Sequence, residues 1–300
     1  LNRNHHYHFK TEPYKLLAKV LENTSMSVDD DIERLAFQVR QAAALHVSQV
    51  AEGACKFDGL SRRAVGNHHA RRRLLQNGPD NTLGTLYNTN LVIGPEGDIL
   101  LKHRKLMPTY AEKLVWGFGD GSTLRVLDTP IGKLGTLICG ENANPLARFA
   151  MIAQGEEIHA SNYPAMPCED YGAYNIGEGI QLRGAAHAFE GKVFNVVASS
   201  VIDATVIDIL ADTEEKRRIL SGPQSSFTGV FAPGGKLISD TVCPGEEGIV
   251  YADCDIETII GHKLRHDLAG QYNRFDVLAL KLNRTPCTPI IETEIPVKPD

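Results

Sequence analysis

The stretch Leu134-Gly135-Thr136-Leu137-Ile138-Cys139-Gly140-Glu141-Asn142 is an apolar run that ends on a thiol and a polar turn. The run has the character of a buried strand, and Pro145 then marks the start of a helix. A sharp turn between a strand and a helix places a side chain near the helix N-terminus, where backbone N–H groups favour a thiolate. Gly140 lets the backbone approach closely, so its N–H is a candidate donor to a developing anion. Taken alone, the segment fits a structural cysteine at a strand end better than a nucleophile.

The sequence on both sides of this stretch alternates between strand and helix patterns. Apolar runs joined by Gly/Pro turns predict three hairpins, over 88–94 with 98–103, 124–128 with 133–139, and 227–232 with 236–240. Single strands are predicted over 157–161, 193–199 and 248–253, and helices over 145–154, 178–190, 255–267 and parts of 14–49. Strands interleaved with helices predict an α/β layered domain with mixed sheets.

Composition excludes several classes of protein. The 300 residues carry 31 basic and 37 acidic side chains, a net charge of -6, which argues against a nucleic-acid surface or a polybasic membrane anchor. The longest apolar runs fall far short of the roughly 20 residues that span a bilayer. The six cysteines are widely spaced and do not show the spacing of zinc ligands. Residues 1–6 are polar and do not resemble a secretory signal, so a disulfide framework is not expected. We therefore expect a cytoplasmic protein with no nucleic-acid or membrane partner.

A second charged segment follows the predicted strand 98–103. It contains Lys105 within the basic run 102–105, and Glu112 lies seven residues later. A basic cluster is usually a solvated face, and one lysine followed by one glutamate is weak evidence for a site.

Together, the two segments resemble the nitrilase superfamily of carbon–nitrogen hydrolases, in particular its nitrilase branch. The matching stretches are 85–89, 103–105 with 108–109, Glu112, 116–122, 139–142, 144–148, and 153–156 leading to His159 and Pro164. The resemblance runs from about residue 14 to residue 282. Glu141 and Asn142 after the thiol are similar to the nitrile-hydrolysing members.

The resemblance implies a fold and an organisation. The fold is a four-layer α-β-β-α sandwich, and residues 1–300 would form one such domain that assembles into a homo-oligomer. Residues 53–83 depart from the family and are expected to be a divergent, loop-like segment. Residues 283–300 are expected to form a C-terminal tail.

The resemblance also implies the chemistry. Cys139 would be the nucleophile, Lys105 would stabilise the tetrahedral intermediate, and Glu112 would orient the lysine and the substrate. Gly140, Glu141, Asn142 and His159 are candidate oxyanion or substrate contacts, although His159 fits a hydrogen-bonded structural histidine equally well. A small nitrile and water would give a carboxylic acid and ammonia through a thioimidate and a thioester, with no metal or organic cofactor.

One expected part of the family is not found in the sequence. The family's general base is a glutamate in a Phe-Pro-Glu context after an early strand, and no such segment occurs. We expect the chain to begin downstream of the first strand–helix–strand unit, and the 300-residue chain alone to be nearly inactive. Two alternatives stay open: a cyanide hydratase-like conversion of a nitrile to an amide, and a truncated, inactive homologue with a role in oligomerisation.

Overall fold

The computed structural model describes residues 85, 87–95, 97–114, 116–168 and 175–288. Its strands are β1 (Thr89–Ile93), β2 (Ile99–Arg104), β3 (Leu127–Thr129), β4 (Gly132–Ile138), β5 (Ile158–Tyr163), β6 (Met166–Pro167), β7 (Phe194–Ser199), β8 (Gln224–Ser225) and β9 (Gly229–Phe231). Its α-helices are α1 (Pro145–Ile152), α2 (Ile176–Gly191), α3 (Ala204–Leu210), α4 (Glu214–Leu220) and α5 (Thr258–Lys263). Short 3₁₀ turns span Tyr110–Leu114, Gly121–Thr123 and Cys139–Ala143.

A five-stranded mixed sheet organises these elements, in the order β3-β4-β5-β7-β9. The three central strands β4, β5 and β7 are parallel, whereas the outer strands β3 and β9 run antiparallel to their neighbours. Strands β1 and β2 form a separate antiparallel hairpin, and β6 pairs with β8. Because the central strands are parallel, their carboxyl ends meet at one edge, which is where ligands bind in such sheets.

Helices and hairpin cover opposite faces of this sheet. On one face, Leu137 packs with Met151 of α1, and α2 approaches so closely that a Cβ on Gly184 would lie 2.8 Å from the Phe231 ring. On the other face, Asn90 of β1 donates to the Thr136 hydroxyl at 2.7 Å. The same Asn90 accepts from the Asn162 amide, at 3.0 Å. The described residues therefore stack as a helix layer, a sheet and a second β layer.

The helices next to the site begin at side-chain caps. Asn144 accepts from the backbone N–H of Leu146 and Ala147, at 2.9 and 3.4 Å, and Pro145 occupies the first turn of α1. Asn175 caps α2 in the same way, and α2 ends at Lys192 in the left-handed conformation. These caps fix where each helix starts relative to the sheet.

Most predicted elements in the described residues are confirmed. The first two hairpins, the helices at 145–154 and 178–190, and the strands at 157–161 and 193–199 are all present. The third hairpin is reduced to one bridge between Phe231 and Leu237. The predictions for 14–49 and 53–83 lie outside the described residues.

Two predicted elements near the C-terminus need correction. The strand predicted over 248–253 is wrong: Val250 and Ala252 pack on the core in alternation, but no ladder forms there. The helix predicted over 255–267 is shortened to α5, because Asp255 accepts from the Glu257 N–H at 3.0 Å and caps a turn before it. The strand prediction over 248–253 failed because an extended segment with alternating burial has the same sequence pattern as a strand.

The beginning of the predicted tail packs against the loop that precedes β3. The backbone N–H of Cys287 donates to the Asp120 carboxylate at 2.7 Å, and a Cβ on Gly121 would collide with the Asn283 carbonyl. Among the residues with assigned structure, no helix is both long and apolar enough to cross a membrane.

Candidate active site

The thiol of Cys139 lies where β4 ends and a 3₁₀ turn begins. The preceding residue, Ile138, is buried, whereas Cys139 is half-buried. Cys139 has a φ of +49°, in the left-handed region that side chains with a Cβ disfavour. A strained residue at the carboxyl end of a central strand is typical of a functional position.

Replacing Cys139 by glycine should relieve this backbone strain. We expect the Cys139→Gly variant to have a free energy of unfolding about 1 kcal/mol larger than that of Cys139→Ala. Chemical denaturation of the two variants measures the difference. At Arg218, an exposed position in α4, the order should reverse, with alanine more stable than glycine by about 1 kcal/mol. Equal stability of the two Cys139 variants would show that the left-handed conformation is not maintained.

The ammonium of Lys105 is buried just beyond the end of β2, with 1% of the residue exposed. Its Nζ donates to the Thr109 hydroxyl at 3.0 Å and to Glu112 Oε2 at 2.5 Å. Glu112 also accepts from the Thr109 N–H at 2.5 Å and from the Asn88 amide at 3.0 Å. Both oxygens of Glu112 are therefore occupied, and two of the three Nζ donors have partners among the described residues.

Electrostatics connect this pair to the thiol. Burial raises the pKa of the Cys139 thiol above its usual value; the charge of Lys105 and the Gly140 N–H offset part of this rise, whereas Glu112 adds to it. Gly140 is exposed, and a Cβ built on it would lie 3.4 Å from the Thr109 hydroxyl. The structure therefore brings Cys139, Lys105, Glu112 and Gly140 together at one place.

Glu141 connects the two strand ends that carry these groups. Its Oε2 pairs with His103 Nε2 at 3.0 Å and accepts from the Ile138 N–H at 2.8 Å. Its Oε1 accepts from the Leu106 N–H at 2.7 Å. Leu106 follows Lys105 and Ile138 precedes Cys139, so this buried carboxylate fixes the lysine relative to the thiol.

A neutral amide cannot reproduce these contacts. In Glu141→Gln one carboxylate oxygen becomes an NH₂ group that faces an N–H donor, so we expect the free energy of unfolding to fall by about 1–3 kcal/mol. Chemical denaturation tests this, with Glu246→Gln, an exposed position, as the control that should change little. A Glu141→Gln variant as stable as the unmodified protein would contradict the role of this carboxylate in joining the two strand ends.

Asn142 and His159 belong to a buried polar network on the helix side of the sheet. Asn142 donates to the carbonyls of Leu137 and Cys139, at 3.1 and 3.2 Å. Its Oδ1 lies 3.0 Å from His159 Nε2. Glu156 lies between two imidazoles, with His159 Nδ1 at 2.8 Å and His187 Nε2 at 2.5 Å. A Cβ on Gly135 would collide with this carboxylate, so glycine makes room for it.

These positions refine the predicted roles. Glu141, Asn142 and His159 are all buried, and protein partners occupy their polar atoms. The geometry therefore favours a supporting role for these three residues over the predicted direct contact with substrate. Gly140 remains exposed beside the lysine.

Sequence reasoning missed several members of the site and its support. Thr109 and Asn88 hold Glu112, while Glu156 and His187 hold His159. Glu156 carried a usable signal, since it precedes His159 by three residues at the start of a buried strand. His187 had no such signal, because it lies in a helix 31 residues from its partner.

One group of potential metal ligands lies close together among the described residues. It consists of Glu156, His159 and His187, whose nitrogen and carboxylate oxygen atoms lie within 4.8 Å of one another. Their contacts of 2.5 and 2.8 Å are hydrogen-bond distances. A cation bonded at about 2.1 Å to each ligand would hold tetrahedral ligand atoms more than about 3 Å apart. The cluster therefore fits a proton-sharing network better than a metal site.

Stability should depend on pH through Glu156. Burial opposes its ionisation, but the neighbouring His159 and His187 lower its pKa from 4.5 to about 2. A lowered folded pKa gives stability that is complete above about pH 4.5 and is lost as the pH falls through about 2. Glu156→Gln should be destabilised at pH 7, and the difference should shrink towards pH 2 in denaturation series. The exposed control Glu214→Gln should show little difference at any pH. A pH-independent effect at Glu156 would exclude this coupling.

Comparison with known proteins identifies the family. Residues 70–263 match the family model described as carbon–nitrogen hydrolase. The chain is 39% identical to "Nitrilase 3" of an unknown prokaryotic organism, over 67% of this chain and 59% of that protein. It is 38% identical to a nitrilase of Bacillus sp. (strain OxB-1), over 69% and 60%, and 32% identical to a nitrilase of Penicillium rubens, over 72% and 67%. The chain thus spans about three fifths of the length of the first two relatives.

Solved structures agree on the fold. The Caenorhabditis elegans NitFhit protein superposes with a TM-score of 0.54 at 16% identity, covering 85% of this chain and 56% of that one. A carbon–nitrogen hydrolase from Helicobacter pylori G27 gives 0.53 at 18% identity, covering 79% and 92%. This likeness confirms the predicted α/β fold. Fold, family match and relatives together show that the chain belongs to the carbon–nitrogen hydrolase family and is related to its nitrilases.

Proposed function

We propose that the protein is a nitrilase that converts a small nitrile and water to a carboxylic acid and ammonia, with Cys139 as the nucleophile. The observation that carries this proposal is the buried Lys105–Glu112 pair, whose charges act on a thiol held at the end of β4. The relatives named nitrilase support the choice of substrate class.

The chemistry requires a thiolate and a way to stabilise charge on nitrogen. Sulfur attacks the nitrile carbon, and protonation of the nitrogen gives a thioimidate on Cys139. Addition of one water and loss of ammonia leave a thioester. A second water then releases the acid and regenerates the thiol.

The surroundings of Lys105 suit the part of a charge stabiliser. Thr109 and Glu112 direct two of its N–H groups, so the ammonium is held in place before substrate arrives. With both carboxylate oxygens already accepting hydrogen bonds, Glu112 is suited to stay ionised and orient the lysine. Gly140, an exposed residue, supplies a backbone N–H that acts on the same thiol as this pair.

Assembly and location complete the proposal. The family resemblance supports a homo-oligomer, and the acidic composition, with its net charge of -6, supports a cytoplasmic protein without a nucleic-acid or membrane partner. Light scattering of the purified full-length protein measures the oligomer, and a mass equal to one chain would contradict that part.

Product analysis tests the proposed reaction. The purified full-length protein is incubated with aliphatic and aromatic nitriles, and acid, amide and ammonia are quantified. We expect acid and ammonia in equal amounts. Amide without ammonia would instead assign the cyanide hydratase-like reaction, and turnover of amides but of no nitrile in the panel would overturn the proposal.

A further inference from the structure

The amide of Asn142 has only one possible orientation. Its nitrogen faces two backbone carbonyls, those of Leu137 and Cys139, at 3.1 and 3.2 Å. Carbonyls only accept hydrogen bonds, so the NH₂ group must lie on this side and Oδ1 on the other. With 2% of the residue exposed, water does not compete for these contacts.

This orientation acts on the peptide unit that follows the thiol. The described peptide bonds are all trans, and in a planar trans peptide the C=O and the next N–H point in opposite directions. Asn142 draws the Cys139 carbonyl towards the buried network. The Gly140 N–H of the same peptide therefore faces the other way, and as a donor towards the thiolate it lowers the pKa of the Cys139 thiol.

The other side of Asn142 is held by a chain of buried groups. Asn142 Oδ1 lies 3.0 Å from both the Ser161 hydroxyl and His159 Nε2; because an amide oxygen only accepts, Nε2 carries the hydrogen of its contact. The other nitrogen of His159 contacts Glu156 at 2.8 Å, and Glu156 in turn contacts His187 at 2.5 Å. Each of these side chains is 2% exposed or less. A hydrogen-bonded chain thus runs from α2 to the peptide at the thiol.

We propose that Asn142, oriented by His159 and Glu156, is a positioning residue that sets the Cys139–Gly140 peptide so that the Gly140 N–H faces the thiol. The inference rests on the proposed role of Cys139 as the nucleophile. It explains how a residue with a φ of +49° is kept in that conformation in the turn after β4. It also gives a buried histidine and glutamate a purpose in the reaction without contact to substrate.

Substitutions at Asn142 and Asn195 distinguish a specific effect on the Cys139–Gly140 peptide from a general loss of packing in the buried network. Asn195 is as buried as Asn142, bonds Ser161 at 3.0 Å, and donates to the Gly184 carbonyl at 3.1 Å. Its described contacts do not include the Cys139–Gly140 peptide. Asn142→Leu and Asn195→Leu therefore remove the same amide from the same network without adding charge, but only the first releases the peptide at the thiol.

The readout is the reactivity of the thiol, which needs no nitrile. The full-length protein is alkylated with iodoacetamide over a range of pH, and the adduct at Cys139 is quantified by peptide mass spectrometry. The charges of Lys105, Glu112 and Arg183 also act on this thiol and are the same in every variant. We expect Asn142→Leu to slow alkylation at neutral pH about tenfold, as for a rise of one in the thiol pKa, and Asn195→Leu to change it less than about twofold.

Two substitutions of His159 test the chain independently, and decide the matter if Asn142→Leu does not fold. A glutamine can place an amide N–H where His159 Nε2 lies, whereas an asparagine reaches only the position of Nδ1. We expect His159→Gln to retain most of the alkylation rate, and His159→Asn to lose as much as Asn142→Leu. Equal rates in the two His159 variants, or equal losses in the Asn142 and Asn195 variants, would overturn the inference. If this pattern holds while no nitrile is hydrolysed, the proposed function fails and the positioning role stands.

Discussion

Replacing Cys139 with alanine should abolish ammonia release from every nitrile that the full-length protein hydrolyses. The reaction proposed above passes through covalent bonds to this sulfur, and loss of a nucleophile typically costs several orders of magnitude in rate, about 10⁴-fold or more. Because alanine retains the Cβ and fills less space at a half-buried position, the fold should survive. Ammonia assays and circular dichroism on the same preparation measure both effects.

The remaining cysteines provide the control for this variant. Cys168 is exposed and Cys254 is half-buried, with a pKa raised to about 11 by burial and by Asp253. A thiol with so high a pKa is protonated at neutral pH and is a poor nucleophile. Alanine at either position should therefore leave kcat within about twofold. Persistent ammonia release by Cys139→Ala would remove Cys139 from the mechanism.

Replacing Lys105 with glutamine should cause the second largest loss. Glutamine can still donate a hydrogen bond but carries no charge, so we expect kcat to fall by about 10²- to 10³-fold, as when one charge-stabilising donor is lost. Glu112→Gln should lose less, because the lysine keeps its charge and the amide oxygen can still accept from Lys105 and from the Thr109 N–H. Steady-state kinetics on one nitrile rank the variants.

The control for Lys105 must be a lysine whose ammonium is not buried at the site. Lys102 is half-buried within β2, so it is not the solvated neighbour that a basic run would indicate. Lys113 is exposed beside Glu112 and makes the better control, with a loss of less than about twofold expected for Lys113→Gln. Equal losses at Lys105 and Lys113 would mean that overall charge, and not the buried ammonium, supports the reaction.

The sequence predicted the elements that carry apolar patterns and missed those that do not. The run before Cys139 and the strands β5 and β7 are continuous buried segments, which is why their positions could be predicted. Helices α3 and α4 have seven residues each, and α4 is mostly charged with no buried residue. A short, solvated helix such as α4 is stabilised by its cap, Thr213, and leaves no periodic signal, whereas α3 is apolar, with Val206 buried, but spans too few turns to show a period.

The candidate site was predicted as a set of residue types and not as a network. Cys139, Lys105 and Glu112 were recognisable because the family places them in short motifs. Glu141 looked like a substrate contact, but it bonds His103 of β2, 38 residues away, and the Leu106 N–H just beyond β2, and so ties two strand ends together. Only the packing of the β1–β2 hairpin against the sheet brings these groups within reach, and no local pattern in the sequence encodes that.

Trapping the intermediate tests the central claim most directly. The full-length protein is mixed with a nitrile, quenched in acid during turnover, and digested for mass spectrometry. We predict a mass increase on the peptide that contains Cys139, equal to the nitrile for the thioimidate, or to the corresponding acyl group less the thiol hydrogen for the thioester. The increase should disappear when the substrate is exhausted. Turnover with an unmodified Cys139 peptide at every quench time, or an adduct on another residue, would contradict covalent catalysis by Cys139.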